Sequence, residues 1–99
     1  MLDRDQILLY LQQNKENFHR LYGIQKIGLF GSFARNQQTE KSDVDIIIVM
    51  DSNTGNIFEK RLMLQELLMK AFSRQVDVCH EQAIKPVFRK IILKDTVYA

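Results

Sequence analysis

Gly28-Leu29-Phe30-Gly31-Ser32-Phe33-Ala34-Arg35, followed after a polar stretch by Ser42-Asp43-Val44-Asp45-Ile46-Ile47-Ile48-Val49, is the part of this 99-residue chain that decides its fold. Ten residues separate Ser32 from Asp43. A glycine lets backbone amides approach a phosphate closely. A serine at a helix start caps that helix and leaves its positive end facing a ligand. Two aspartates one residue apart on a strand point to the same face, so Asp43 and Asp45 can hold the same hard cations. A phosphate cradle beside paired carboxylates reads as metal-assisted nucleotidyl transfer.

The elements follow outward from this stretch. Ile24 to Phe30 is rich in β-branched and aromatic residues and predicts a strand. Gly31 turns the chain, and Ser32 opens a short helix to about Asn36, with a polar loop from Gln37 to Lys41. Val44 to Met50 is a near-continuous apolar run, expected as a central strand buried on both faces, with Asp45 its one polar interruption. Upstream, Asp3-x-x-Gln6 forms a capping-box signal. Ile7, Leu8, Leu11 and Phe18 recur near helical spacing, so a first helix is expected from about Arg4 to Leu21, stopped by Gly23. Downstream, Asp51 to Asn56 is a loop, and Asn56-x-x-Glu59 signals a second capping box. Phe58, Leu62, Leu68 and Phe72 suggest one apolar stripe on a helix running to about Ser73. Gln75 to Cys79 predicts a third strand, with Val76 and Val78 on one side and Asp77 and Cys79 on the other. Pro86 suits the first turn of a last helix, on which Val87, Ile91 and Phe88 are expected to pack. The expected class is α/β (α+β), in the order α-β-α-β-α-β-α: a small mixed sheet flanked by helices.

Hydrophobic residues make up 45% of the chain. That is enough for one core and not for two, so a single domain over residues 1–99 is expected, burying roughly 60–70% of its unfolded surface. A net charge of +2 is too weak to argue for nucleic acid. The one cysteine, Cys79, excludes an intrachain disulfide and suits a reducing cytosol. The start Met1-Leu2-Asp3-Arg4-Asp5 is charged where a signal peptide would turn apolar, and no apolar run approaches the ~20 residues of a membrane span. A cytoplasmic protein without membrane contact is the expectation.

Several residues carry two readings. Asp43 and Asp45 at a strand start beside an apolar run repel each other unless cations neutralise them; a solvated strand end is the plainer alternative. Asp77 reaches the same cations if the second and third strands are neighbours about 4.8 Å apart; otherwise it is an edge-strand aspartate facing water. Gly31 and Ser32 can cradle phosphate or simply make a strand-to-helix turn. Arg35 either touches phosphate or pairs with an acidic neighbour and holds the loop. Ser42 can hydrogen-bond a carboxylate or face water. Cys79 reads as a small buried apolar residue. His19 and His80 have no metal-ligand partner at a sensible spacing. Lys85, Arg89, Lys90 and Lys94 make the last helix basic, as a solvated face or as a surface for an acidic partner.

Gly31-Ser32, the ten-residue gap, Asp43-Val44-Asp45 and the later Asp77 together resemble the minimal nucleotidyltransferases of the DNA polymerase β-like superfamily, over about residues 24 to 80. In prokaryotes these proteins are often the MNT antitoxins of HEPN-domain toxins. The resemblance implies catalytic and metal roles for Asp43, Asp45 and Asp77. The first two would hold two Mg²⁺ ions about 3.5–4 Å apart, and Asp77 the catalytic ion alone. It implies that Gly31 and Ser32 bind the β- and γ-phosphates of ATP, with Arg35 beside them. Asn36 stands where the family commonly has glycine, and asparagine tolerates the left-handed conformation. The implied activity is transfer of AMP from ATP to a hydroxyl, a tyrosine in this family, of a cognate HEPN ribonuclease toxin, in a hetero-oligomer with it and without direct nucleic-acid contact. The alternatives are an antitoxin that acts by occlusion without catalysis, and nucleotidylation of a small hydroxylated molecule.

Overall fold

The computed structural model describes residues 2–99. The capping box at Asp3 is formed: the Gln6 amide donates to Asp3 Oδ1 at 2.9 Å and the Asp3 amide to Gln6 Oε1 at 3.1 Å. It opens α1 (Arg4–Gln13). The single helix expected to Leu21 is interrupted. At Asn14 the backbone leaves helical geometry (φ −105°, ψ 6°), and α2 (Lys15–Tyr22) begins. The Asn14 side chain donates to the Tyr10 carbonyl at 2.9 Å, the local competition by which asparagine disfavours a helix interior. Gly23, at φ 70°, ends α2 as expected.

Strand β1 (Ile24–Phe30) runs into the short α3 (Gly31–Ala34), and a polar loop leads to β2 (Val44–Met50). Then come α4 (Ile57–Phe72), β3 (Val76–His80), a 3-10 turn at Glu81–Ala83, α5 (Pro86–Asp95) and β4 (Val97–Tyr98). The sheet order is β3-β2-β1-β4. Strand β1 is antiparallel to both β2 and β4, and β2 is parallel to β3, so the sheet is mixed. Strand β4 lies outside the sequence reading, because two residues carry no periodicity; it is held by pairing Val97 with Leu29 and Tyr98 with Gly28.

Alternation sorts the sheet into two faces. Ile27, Leu29, Val44, Ile46, Ile48, Val76 and Val78 build one, in a core shared with Ile7, Leu11, Phe18, Leu64 and Leu68 of the helices. Asp45 and Asp77 belong to the other face.

Two helix expectations need correction. Phe58 and Leu62 do not share a face with Leu68: they are 63% and 37% exposed, whereas Leu64 and Leu68 are fully buried. The six steps from Leu62 to Leu68 advance a helix by about 600°, which is roughly a third of a turn out of phase. Asn56 occupies the cap position but in a left-handed conformation (φ 53°), without a side-chain cap bond. On α5, Pro86 is the first residue as expected, yet the helix buries none of its side chains. Val87, Phe88 and Ile91 turn outward, and the half-buried Arg89, Ile92 and Leu93 form its inner side.

Candidate active site

Parallel pairing places Asp45 directly opposite Asp77. Neighbouring positions on adjacent strands put both side chains on the face of the sheet opposite the main core, about 4.8 Å apart at the backbone. Asp43 is exposed, just before β2. Asp77 is also exposed, on an edge strand. Asp45 is half-buried, with Phe30 opposite it on β1. Gly31 follows Phe30 and lies hard against the Asp45 carboxylate, where any Cβ would collide with Oδ2. Its φ of 77° independently favours glycine. The end of β1 and the start of β2 therefore meet at one point, the turn on one side and the carboxylates on the other.

Burial, then Asp77, then Asp43 push the Asp45 carboxyl up to about 6; Arg35 acts in the opposite direction. A partly desolvated carboxyl among like charges is one that a cation would relieve. The oxygen-only donor set of Asp43, Asp45 and Asp77 suits a hard divalent ion rather than a thiophilic one. Among the described residues, no three His, Cys, Asp or Glu side chains stand ready to hold a metal ion. Three uncompensated negative groups repel, and the exposed side chains of Asp43 and Asp77 are free to adjust.

Ser32 does not cap α3. Phe30 occupies that position without a side-chain bond, and Gly31 is already the first helical residue. The helix therefore opens one residue earlier than expected, at Gly31, which also makes the turn anticipated for it. Of the two roles open for Arg35, the structure contains an ion pair: Nη1 lies 3.7 Å from Asp95 Oδ2 on α5, and Nε donates to Gln37 Oε1 at 3.1 Å. Asn36 adopts φ 57°, the left-handed conformation anticipated for it.

Ser42 Oγ accepts from the Thr39 amide at 2.8 Å and so belongs to its own loop, not to a carboxylate. The residue that anchors this loop is Arg74, which the sequence reading missed. Its Nη1 donates to the carbonyls of Thr39, Glu40 and Ser42 at 3.2, 3.0 and 2.9 Å. Its guanidinium also stands 5.2 Å from the Phe33 ring of α3. One side chain thus ties the segment entering Asp43 to the helix that opens at Gly31. Its only sequence signal is an arginine at the turn between α4 and β3, which is an ordinary place for one.

Cys79 is half-buried rather than buried, and burial, then Asp45 and Asp77, push its thiol upward, away from the thiolate form that a nucleophile needs. His19 Nε2 pairs with Asp51 Oδ2 at 2.7 Å, a structural link between α2 and the end of β2. His80 lies at the other end of β2 from the carboxylates, in a hollow of about 870 Å³ that Met50, Asn53, Ile57 and Gln82 also line. Of the carboxylates themselves, Asp43 and Asp77 are exposed and Asp45 is half-buried.

The nucleotidyltransferase domain family matches residues 11–99. The chain belongs to this family. The nucleotidyltransferase is 37% identical over 89 residues to a protein of Methanocaldococcus jannaschii named as a candidate protein adenylyltransferase, covering 89% of each chain. It is 30% identical over 98 residues to the protein adenylyltransferase MntA of Thermococcus cleftensis, covering 99% of this chain and 97% of that one. Among solved structures, a candidate minimal nucleotidyltransferase superposes with a TM-score of 0.80 at 21% identity, over 97% of this chain and 95% of that one, and shows the shared fold. A toxin–antitoxin structure with AMP-PNP superposes with a TM-score of 0.67 at 25% identity, over 98% of this chain and 72% of that one. Among the described residues of the nucleotidyltransferase, no helix is long and apolar enough to cross a membrane.

Proposed function

We propose that residues 1–99 act as one minimal protein adenylyltransferase domain, a cytoplasmic antitoxin that moves AMP from ATP to a tyrosine hydroxyl of a HEPN-domain ribonuclease toxin. The observation that carries this reading is the meeting of Gly31, Asp45 and Asp77 at one point of the sheet. It is supported by full-length similarity to a protein adenylyltransferase and by a shared fold with an AMP-PNP-bound toxin–antitoxin protein.

Asp43, Asp45 and Asp77 would hold Mg²⁺, which supplies charge neutralisation, a lower pKa for the acceptor hydroxyl and stabilisation of the pyrophosphate leaving group. The amides around Gly31 and Ser32 receive the β- and γ-phosphates, unobstructed by any side chain at Gly31. Arg35 flanks them, exchanging its exposed pair with Asp95 for phosphate oxygens. Asp77, exposed and opposite Asp45, accepts the proton of the attacking hydroxyl. That oxygen then bonds to the α-phosphorus as pyrophosphate departs.

Intact-mass spectrometry of the cognate HEPN protein after incubation with the nucleotidyltransferase, ATP and Mg²⁺ tests the reading. A gain of one or more AMP units, absent with Asp43→Asn/Asp45→Asn, is expected. No gain with a stable complex still formed would leave neutralisation by occlusion.

A further inference from the structure

Helix α5 is half apolar and buries none of its side chains. Val87, Phe88 and Ile91 are 73%, 53% and 67% exposed. At about 100° per residue, Val87 and Ile91 lie side by side, with Phe88 on one flank and Lys90 and Lys94 on the other. Of the charged groups on this helix, Arg89 is occupied by Glu81 and Asp95 by Arg35. Lys90 and Lys94 have no ion-pair partner among the described residues, and with Arg89 and Leu93 they line a shallow groove. The three apolar side chains form one contiguous strip rather than single scattered residues, and its unpaired charged border, Lys90 and Lys94, has one sign.

Its position assigns the occupant. Ile91 also lines a small hollow with Ile92, Asp95, Phe30, Gly31 and Arg35. The outer face of α5 is therefore continuous with the turn that abuts Asp45. An acceptor protein has to bring a hydroxyl to the carboxylates, of which Asp43 and Asp77 are exposed, and α5 borders the Gly31 turn that abuts the third, Asp45.

We propose that α5 is the docking surface for the acceptor protein. The partner lays an apolar ridge on Val87, Phe88 and Ile91 and places acidic side chains beside Lys90 and Lys94, which delivers its acceptor hydroxyl over Gly31 toward Asp45 and Asp77. This rests on the protein-acceptor reading above. It predicts a partner surface that is apolar at its centre and acidic along one edge.

The test compares wild type, Val87→Ser/Ile91→Ser, Lys90→Glu/Lys94→Glu and the control Phe58→Ser/Met63→Ser on the exposed face of α4. Affinity for a cognate HEPN-domain protein is measured by calorimetry at two salt concentrations, with ATP affinity measured separately. Both α5 variants are expected to lose roughly tenfold or more in partner affinity, with ATP affinity within about twofold of wild type. The lysine variant should also lose most of the salt dependence. The substituted residues are exposed, so melting temperatures should hold. If the serine variant unfolds, the lysine variant decides alone, since it removes no apolar contact. Wild-type affinity in both α5 variants, or loss confined to the α4 control, overturns the docking surface while leaving AMP transfer intact. Binding without AMP transfer by wild type overturns the catalytic reading and leaves the affinities to judge α5. A second copy of the chain covering α5 would appear as a concentration-dependent dimer that Ile91→Ser dissociates without effect on the partner, and would also overturn the proposal.

Discussion

Gly31 touches the carboxylate of Asp45 so closely that no Cβ fits between them. The glycine next to the proposed phosphate cradle is therefore also the residue that leaves room for the central carboxylate. Gly31→Ala should cost stability twice: about 1–2 kcal/mol for an L-residue in the left-handed region, and roughly 1–3 kcal/mol for the collision. In an Asp45→Ala background only the first cost should remain. A double-mutant cycle by urea denaturation reads the difference as a coupling of about 1 kcal/mol or more. Additive effects would contradict the contact.

The Asp45 carboxyl is raised to about 6, first by burial and then by Asp77 and Asp43. Because the folded state holds this proton more tightly than the unfolded state, its contribution to stability is present below about pH 4 and is lost as pH rises through about 6. In EDTA, Asp45→Asn should gain on wild type across this window, by on the order of 1 kcal/mol once solvent screening of a half-exposed group is allowed for. Thermal melts of both proteins from pH 4 to 8 check this. Only wild type should regain stability when Mg²⁺ is added, and only wild type should transfer AMP.

Arg74 contacts the loop before Asp43 through three carbonyls. Arg74→Ala leaves these oxygens to water and frees the loop. Transfer should fall about tenfold or more, through misplacement of Asp43, with a stability loss of about 1–2 kcal/mol. Arg74→Lys keeps a cationic donor nitrogen but loses the guanidinium that stands 5.2 Å from the Phe33 ring, and should recover only part of the rate. Single-turnover kinetics and denaturation measure the two effects separately.

The Arg35–Asp95 pair is exposed on both sides and 3.7 Å long, so its contribution to stability should be under about 1 kcal/mol. Arg35→Gln should nevertheless weaken ATP binding by roughly tenfold. Asp95→Asn, which frees the guanidinium, should leave ATP affinity unchanged or tighter. Equal effects of the two substitutions on ATP affinity would assign Arg35 to the fold rather than to the nucleotide.

Ser73 ends α4 in the left-handed conformation at φ 51°. Ser73→Gly relieves that strain and should raise stability by about 0.5–1 kcal/mol, with transfer activity unchanged. A melting curve and an activity assay suffice.

Local chemistry fixed the strands β1, β2 and β3, the glycine turns and the capping box at Asp3, because each depends on residues within a few positions of one another. The alternation of Val76, Asp77, Val78 and Cys79 was legible for the same reason, and so was the placing of Asp45 in an interior strand. Tertiary structure decided what local pattern leaves open. It set the phase of α4, where two apolar pairs compete for the core and Leu64 and Leu68 win. It recruited Val97 and Tyr98 as an edge strand, since only the neighbouring β1 makes two residues a strand, whereas the break of the first helix at Asn14 is local, made by a side-chain bond to the Tyr10 carbonyl. The register that sets Asp45 against Asp77, the contact of Gly31 with Asp45 and the reach of Arg74 to Thr39 all join residues more than ten positions apart. Such contacts carry no sequence periodicity; they exist because the sheet and its helices close around one core.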